Sequence, residues 1–216
     1  MSDALLLYLY HHCPFCCRVQ MIAGLKGIDL PLRTVLEDDV ATPTALVGRK
    51  VVPILRRADG SHMAESLDIV AYLDALDGVP LLPAAPANPA IADWCTRAFG
   101  PLLAQAVARF VDADLPELAT ASARAAYRER ENRAFGDLVA LRTDPAARAQ
   151  AEVLLGELEP LIEEPGSAID RADLLLLPIL RSLSIVAGLR LPPRSAAWYA
   201  DRLQRSGLDD FSAQAR

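Results

Sequence analysis

The stretch LLLYLYHHCPFCCRVQMIAGLKG, residues 5–27, places three of the chain's four cysteines between a short apolar run and a helical pattern. The run from Leu5 to Tyr10 has the length of a strand and no charged side chain, which is typical of a strand buried on both faces. Apolar residues then recur at helical spacing until Gly27. A C-x-x-C pair between a strand and a helix predicts redox chemistry.

Composition limits the classes of protein to which the chain can belong. Its 216 residues, 52% of them hydrophobic, can bury one large core or two modest ones. The net charge of −6 is spread without a basic stripe, so we expect neither nucleic acid nor a membrane as partner. The first apolar run is too short to span a membrane and lacks the positive charge of a secretory signal, which predicts a cytoplasmic protein with reduced thiols.

The remaining sequence predicts two domains of different class. After the first strand and helix we expect strands over 30–36, 51–55 and 62–63 and a helix over 66–78, which completes a βαβ-ββα order. Four prolines between Val79 and Pro89 indicate a linker. Helical patterns then follow over 90–111, 122–142, 145–162, 171–187 and 194–205. The prediction is an α/β domain over 1–78, a linker over 79–89 and an all-helical domain over 90–216.

The first cysteine of the pair is expected to be the nucleophile. Cys13 would occupy the N-cap of the first helix, with Pro14 at the first helical position, where its missing N–H costs nothing. The N–H groups of the first turn would then favour the Cys13 anion and lower its pKa below the ~8.5 of a free thiol. Cys16, one turn inward, is placed to attack back. We therefore expect an exposed, attacking Cys13 and a resolving Cys16.

The neighbouring thiols and histidines allow more than one interpretation. Cys17 is expected to pack in the core, with a third redox thiol as the alternative, and Cys95 is expected to be a packing residue. His11 and His12 either tune the Cys13 thiolate as imidazolium or face solvent at the end of the strand. No metal is expected because a closed zinc site needs four ligands, although a glutathione-assisted iron–sulfur cluster shared by two chains stays an alternative.

Two further dipeptides suggest a binding site. In Val52-Pro53, the proline has no backbone N–H to donate to a neighbouring strand, which is unusual inside a predicted strand. It is expected if the Val52–Pro53 bond is cis and the strand edge next to Pro53 is free to pair with an extended peptide. Glu65-Ser66 precedes a helix and offers N–H groups, a hydroxyl and a favourable dipole end to a carboxylate. Plain helix capping by Ser66 is the alternative.

The order of these features resembles that of the glutaredoxin 2 family, two-domain glutaredoxins with a glutathione-transferase-like architecture. Four stretches carry the resemblance: HHCPFCCRVQMI, ATPTALVGRKVVPIL, MAESLDIVAYLDALDG and LLLLPILRSLSIVAGLRLP. It covers nearly the whole chain. It implies a thioredoxin-like N-terminal domain, a glutathione-transferase-like helical C-terminal domain, a monomer, and glutathione as electron donor.

The resemblance also implies roles for single residues. Cys13 is similar in position to the attacking cysteine of the family, and Cys16 to its resolving partner. Tripeptide recognition would use the Val52 backbone for the cysteinyl unit, while two residues at the next helix hold the γ-glutamyl end. The implied glutathione-binding residues are Cys13, Pro14, Phe15, Val52, a cis Pro53, Glu65 and Ser66.

The sequence departs from the family pattern at three points. Cys17 follows the motif directly, where the family more often has a larger apolar residue. Phe15 stands where glutaredoxins usually have tyrosine, so a phenol hydroxyl beside the thiols is absent. The anchor for the glycine carboxylate of glutathione is not evident, and Arg49 and Lys50 are the nearest candidates.

Three hypotheses follow for the function. The first is a glutathione-dependent thiol–disulfide oxidoreductase that reduces protein disulfides and protein–glutathione mixed disulfides. The second is a cysteine-type glutathione transferase or dehydroascorbate reductase, since the architecture is shared. The third is a non-enzymatic protein that binds glutathione or an iron–sulfur cluster.

Overall fold

The computed structural model describes residues 4–216 of the chain. Its first part, the strand-containing part, consists of β1 (Leu6–Leu9), α1 (Pro14–Leu25), β2 (Leu32–Thr34), α2 (Ala41–Val47), β3 (Ile54–Arg56), β4 (His62–Met63) and α3 (Ser66–Ala75). The helical part consists of α4 (Pro89–Phe110), α5 (Ala121–Phe135), α6 (Leu138–Thr143), α7 (Pro145–Leu158), α8 (Asp173–Leu183) and α9 (Pro193–Ser206). None of the helices in these residues is long and apolar enough to cross a membrane.

The four strands form one mixed sheet in the order β2-β1-β3-β4. β1 pairs parallel with β2 and antiparallel with β3, and β4 continues the sheet antiparallel to β3. β1 therefore has a neighbour on each side, and the side chains of Leu7 and Leu9 are fully buried. The sheet and the helical part together confirm the expected fold class, α/β followed by all-α.

Helix α2 is the element that the sequence analysis missed. Its seven residues include Pro43 and two threonines, a composition with low helix propensity. Asp39 accepts a hydrogen bond from the Thr42 backbone N–H at 2.9 Å, and Gly48 ends the helix with a φ of 79°. Local hydrogen bonds at the two ends thus stabilise a helix that apolar periodicity does not reveal.

A single predicted helix over 122–142 is two helices in the structure. α5 ends at Phe135, because Gly136 adopts a φ of 87° that few other residues tolerate. Asp137 then starts α6 as its N-cap, accepting a hydrogen bond from the Val139 N–H at 2.8 Å. The Gly-Asp pair is therefore a helix stop followed by a helix start.

Helix α1, which carries the cysteines, lies between the two parts. It contacts α3 of the strand-containing part and α8 and α9 of the helical part. Its contact with α9 is so close that a Cβ on Gly24 would lie 1.8 Å from the carbonyl oxygen of Ser206. Buried apolar side chains of both parts form one continuous cluster. The position of the cysteines is therefore set by both parts together.

Candidate active site

Cys13 lies at the N-cap of α1, as the sequence predicted. Its backbone is extended, with φ −69° and ψ 121°, and Pro14 is the first residue of the helix. The backbone N–H groups of Phe15 and Cys16, in this first turn, lower the pKa of the Cys13 thiol. The first turn of α1 is therefore arranged to stabilise negative charge on this sulfur.

The surroundings of Cys13 lower the pKa of its thiol to about 7. The largest cause is a hydrogen bond from the Cys16 side chain; burial opposes it, and the charge of His12 adds to the lowering. The thiolate, which is the reactive species, is thus well populated near neutral pH.

Cys16 has the opposite character. Its side chain is completely buried, and burial raises its pKa well above the usual value, with the hydrogen bond to Cys13 and the charge of Cys13 raising it further. Cys16 therefore keeps its proton near neutral pH. At the same pH, Cys13 can act as the nucleophile, whereas Cys16 stays protonated.

The expectation that Cys13 is exposed is wrong, because only 8% of the residue is accessible. It is reached through a cavity of about 380 Å³, which we call the thiol cavity. Aromatic and aliphatic side chains form most of its wall, and His12, Lys50, Arg130 and Glu131 complete it. The wall comprises Tyr10, His12, Cys13, Pro14, Phe15, Lys50, Val51, Val52, Phe99, Leu103, Val107, Phe110, Arg130 and Glu131.

A second cavity of about 440 Å³, which we call the Val52 cleft, adjoins the thiol cavity. Phe15 and Val52 line both, so a ligand in the cleft can reach the thiol. The structure thus brings the predicted binding residues together around two connected spaces, with Cys16 buried behind them. The Val52 cleft is lined by Phe15, Arg18, Val51, Val52, Pro53, Glu65, Ser66, Leu67 and Asp68.

The Val52–Pro53 peptide bond is cis. The sequence predicts this pair inside a strand over 51–55, but β3 begins at Ile54, and its pairing with β1 starts at Tyr8 and Ile54. Val52 therefore lies beyond the end of the paired strand, half-buried at the border of the two cavities.

The predicted capping role of Ser66 is also wrong. Glu65 is the N-cap of α3, and Ser66 is the first residue of the helix, where its hydroxyl accepts a hydrogen bond from Arg18 at 3.4 Å. Glu65 has a φ of 72° and is the one non-glycine residue with a positive φ in residues 4–216. A non-glycine residue held in this region costs free energy, and such residues cluster at functional sites.

The two candidate anchors for a carboxylate occupy different places. Arg49 forms an exposed ion pair with Glu65 and lines neither cavity. Lys50 lines the thiol cavity and donates a hydrogen bond to the Glu37 backbone oxygen. Of the two, Lys50 is the cation that faces the site.

The two histidines differ in their environment. His11 is half-buried, with its Nε2 3.0 Å from the Thr34 hydroxyl, and burial lowers its pKa. His12 is buried and ion-paired, so the solvent-facing interpretation is wrong for it. Its partner Glu117 lies in a 3-10 turn of the helical part, at 105 residues' separation, and no local pattern could have indicated the contact.

The remaining cysteines pack in the interior. Burial raises the pKa of Cys17 to about 11 and that of Cys95 to about 12, so neither thiol is ionised near neutral pH. All four cysteines are unpaired. Within residues 4–216, no group of three or more His, Cys, Asp or Glu side chains is placed to hold a metal ion.

Two family models match different parts of the chain. Residues 7–81 match the glutathione S-transferase N-terminal domain, and residues 90–215 match the glutaredoxin 2 C-terminal domain. The fungal glutathione transferase GSTFuA3 from Phanerochaete chrysosporium is 15% identical and shares the fold, with a TM-score of 0.72 over 97% of this chain and 100% of that chain.

Two bacterial relatives are much more similar. Glutaredoxin 2 of Escherichia coli is 36% identical over 215 residues, which cover 97% of this chain and 99% of the relative. The structure of Salmonella typhimurium glutaredoxin 2 in complex with glutathione is 34% identical and superposes with a TM-score of 0.94, covering 100% of both chains. The chain belongs to the glutaredoxin 2 family of glutathione-dependent oxidoreductases.

Proposed function

We propose that this protein reduces protein–glutathione mixed disulfides and protein disulfides, with glutathione as the electron donor and Cys13 as the nucleophile. The observation that carries the proposal is the difference between the two thiols: Cys13 has a pKa of about 7, whereas the buried Cys16 has a raised pKa and stays protonated. The glutathione complex of the Salmonella relative supports the choice of donor. Steady-state reduction of a glutathionylated peptide, coupled to glutathione reductase, tests it; absence of turnover would refute it.

In the one-thiol branch, the Cys13 thiolate attacks the glutathione sulfur of a mixed disulfide. The S–S bond breaks, the substrate protein leaves as a thiolate that takes up a proton, and glutathione is left bonded to Cys13. The thiolate of a second glutathione then attacks the bound glutathione sulfur. Glutathione disulfide leaves, and Cys13 returns to the thiolate.

In the two-thiol branch, the substrate is a protein disulfide: the Cys13 thiolate attacks one of its sulfurs, breaks the S–S bond and forms a mixed disulfide with the substrate, which Cys16 resolves. Once the Cys13 sulfur is in a disulfide, its charge no longer raises the pKa of Cys16, so the proton of Cys16 is lost more readily. Cys16 then attacks Cys13, the substrate leaves as a dithiol, and a Cys13–Cys16 disulfide forms. Two glutathione molecules reduce this disulfide and are released as glutathione disulfide.

We place glutathione in the Val52 cleft with its sulfur toward the thiol cavity. The Val52 backbone would pair with the cysteinyl unit, as in the addition of a short strand. The ammonium of the γ-glutamyl end faces Glu65, and its carboxylate faces the N-terminus of α3 at Ser66. Lys50 is the cation available to the glycine carboxylate at the thiol-cavity end.

We further propose that residues 1–78 and 90–216 are two domains joined by the linker 79–89, and that the protein acts as a monomer in the cytoplasm. The division between the two family matches, at 81 and 90, supports the domain assignment. Sedimentation equilibrium of the full chain tests the oligomeric state, since a dimeric mass would refute a monomer.

A second candidate activity is transfer of glutathione to a small apolar electrophile. The thiol cavity favours it, because about 380 Å³ beside Cys13 is walled by Phe15, Phe99 and Phe110 and suits a small aromatic molecule. Conjugation of a chloronitroaromatic substrate at a rate comparable to mixed-disulfide reduction would favour this activity over the first.

A further inference from the structure

Both nitrogens of the His12 imidazole face carboxylates. Nδ1 lies 2.7 Å from Oε1 of Glu117, which also accepts the His12 backbone N–H at 2.9 Å. Nε2 lies 3.4 Å from Oε1 of Glu37. Both carboxylate side chains are fully buried. Glu37 follows β2, whereas Glu117 belongs to the 3-10 turn Pro116–Leu118 of the helical part, so the two acids reach His12 from different parts of the fold.

This arrangement requires the charged form of His12. A neutral imidazole carries one N–H and one lone pair, so one of the two buried carboxylates would face a lone pair. The imidazolium carries an N–H on each nitrogen: Nδ1 hydrogen bonds to Glu117, Nε2 pairs electrostatically with Glu37, and the positive charge offsets the buried negative charge. Burial by itself would lower the pKa of His12, but the hydrogen bond and charge of Glu117 and the charge of Glu37 raise it above its usual value.

Aromatic rings close the remaining sides of the imidazole. Tyr10 stacks on it at 5.7 Å with an interplanar angle of 9°, and Tyr127 meets it edge-on at 5.1 Å. Phe110 lies 5.6 Å away at a tilt. The faces of such rings attract a cation, and the rings also keep water from the charge.

The other charged groups around His12 hold the carboxylates in place. Arg130 binds both oxygens of Glu37 at 2.9 Å, and Lys50 donates to the Glu37 backbone oxygen. Cys13 and His11 are the neighbours of His12 on either side along the chain. The positive charge of His12 lowers the pKa of both. Of these two neighbours, Cys13 is the one with a reactive group, and the charge of His12 favours its thiolate.

We propose that Glu117 and Glu37 are positioning residues for the thiol reaction, which hold His12 as an imidazolium so that its charge stabilises the Cys13 thiolate. The inference rests on Cys13 being the attacking thiol. It makes the reactivity of a cysteine in the strand-containing part depend on a carboxylate that the helical part supplies.

The test is the pH profile of Cys13 alkylation by iodoacetamide. The first arginine or lysine of the chain is Arg18, so trypsin releases residues 1–18 as one peptide, and tandem mass spectrometry assigns the modified cysteine. Glu117→Gln keeps an oxygen for both His12 hydrogen bonds and removes the charge. We expect the midpoint of the Cys13 alkylation profile to move to higher pH in this variant. A rise of about one pH unit lowers the alkylation rate at about pH 6 roughly tenfold.

A second variant and a control accompany it. Oε2 of Glu117 has no hydrogen-bond partner within residues 4–216. In Glu117→Gln the amide nitrogen takes this position as a donor without an acceptor. Circular dichroism therefore checks that the variant is folded. Glu37→Gln removes the other charge and should shift the midpoint in the same direction. Asp74→Asn is the matched control, because Asp74 is a buried carboxylate that binds Lys26 and the Leu81 N–H, away from the thiols.

A double variant identifies the route of the effect. In a His12→Gln background, Glu117→Gln should change the midpoint no further. An unchanged midpoint in folded Glu117→Gln and Glu37→Gln, or a shift that persists without His12, would overturn the inference. Alkylation needs no turnover, so this result is independent of the proposed activity, whose failure would show instead as absent reduction of the glutathionylated peptide.

Discussion

Cys16 lies one turn inside the helix that Cys13 begins, and hydrogen bonding between the two thiols is the largest of the causes that bring the pKa of Cys13 to about 7. The same bond keeps the proton on Cys16, whose pKa is raised by burial and then by Cys13 itself. The two cysteines of the C-x-x-C motif thus differ because one lies at the helix N-terminus and the other lies fully buried one turn inside it.

Removing this donor should make Cys13 less acidic. In Cys16→Ala the hydrogen bond is lost, so the midpoint of the Cys13 alkylation profile should move to higher pH, whereas Cys16→Ser retains a donor and should move it less. The measurement is the initial alkylation rate across pH. Equal midpoints in the two variants would show that the hydrogen bond does not set the acidity of Cys13.

The pH dependence of the wild-type enzyme has a definite sign. Cys13 is reactive as thiolate, so its alkylation should be near its maximum rate above the midpoint of about 7 and should fall as pH drops through it. Below the midpoint the loss is about tenfold per pH unit. An alkylation rate that keeps rising up to the ordinary thiol range would contradict the lowered pKa of Cys13.

The Val52 cleft should determine the affinity for glutathione. Ser66→Ala removes a hydroxyl from the N-terminus of α3, and losing a hydrogen bond to a charged group costs about 1.5 kcal/mol, or roughly tenfold. We expect KM for glutathione to rise by this factor with kcat nearly unchanged. Ser122→Ala, at an exposed site on α5, is the control, and an equal effect there would exclude a specific role for Ser66.

The contact between α1 and α9 should be sensitive to a single methyl group. Gly24→Ala places a Cβ against the Ser206 carbonyl oxygen, and overpacking of this kind costs about 1–3 kcal/mol. The predicted result is a lower Tm. Gly156→Ala, at an exposed position of α7 with open space around it, should instead gain about 0.5–1 kcal/mol. A Tm that is unchanged in Gly24→Ala would mean that the helices can separate without cost.

Local chemistry explains which features were predictable from the sequence. The N-cap position of Cys13 and the first-turn position of Pro14 follow from the order of strand, cysteine, proline and helix, and the structure has both. By contrast, α2 lacks apolar periodicity and is held by Asp39 and Gly48 at its ends, so its pattern is that of a loop.

The unpredicted part of the site depends on distant residues. Glu117 meets His12 across 105 positions, and Arg130 meets Glu37 across 93, because the helical part packs on the strand-containing part. Burial of Cys13 has the same origin, since Phe99, Leu103 and Val107 of α4 wall the thiol cavity in front of it. Composition and spacing near the cysteines carry no information about these contacts.

The most direct test of the central claim is the turnover of a glutathionylated peptide by the wild-type protein, Cys13→Ser and Cys16→Ser, coupled to glutathione reductase. The proposed chemistry predicts no turnover in Cys13→Ser, because no other cysteine has a lowered pKa and access to the thiol cavity. It predicts retained turnover in Cys16→Ser, where a second glutathione resolves the intermediate. Turnover in Cys13→Ser would contradict the assignment of Cys13 as the nucleophile.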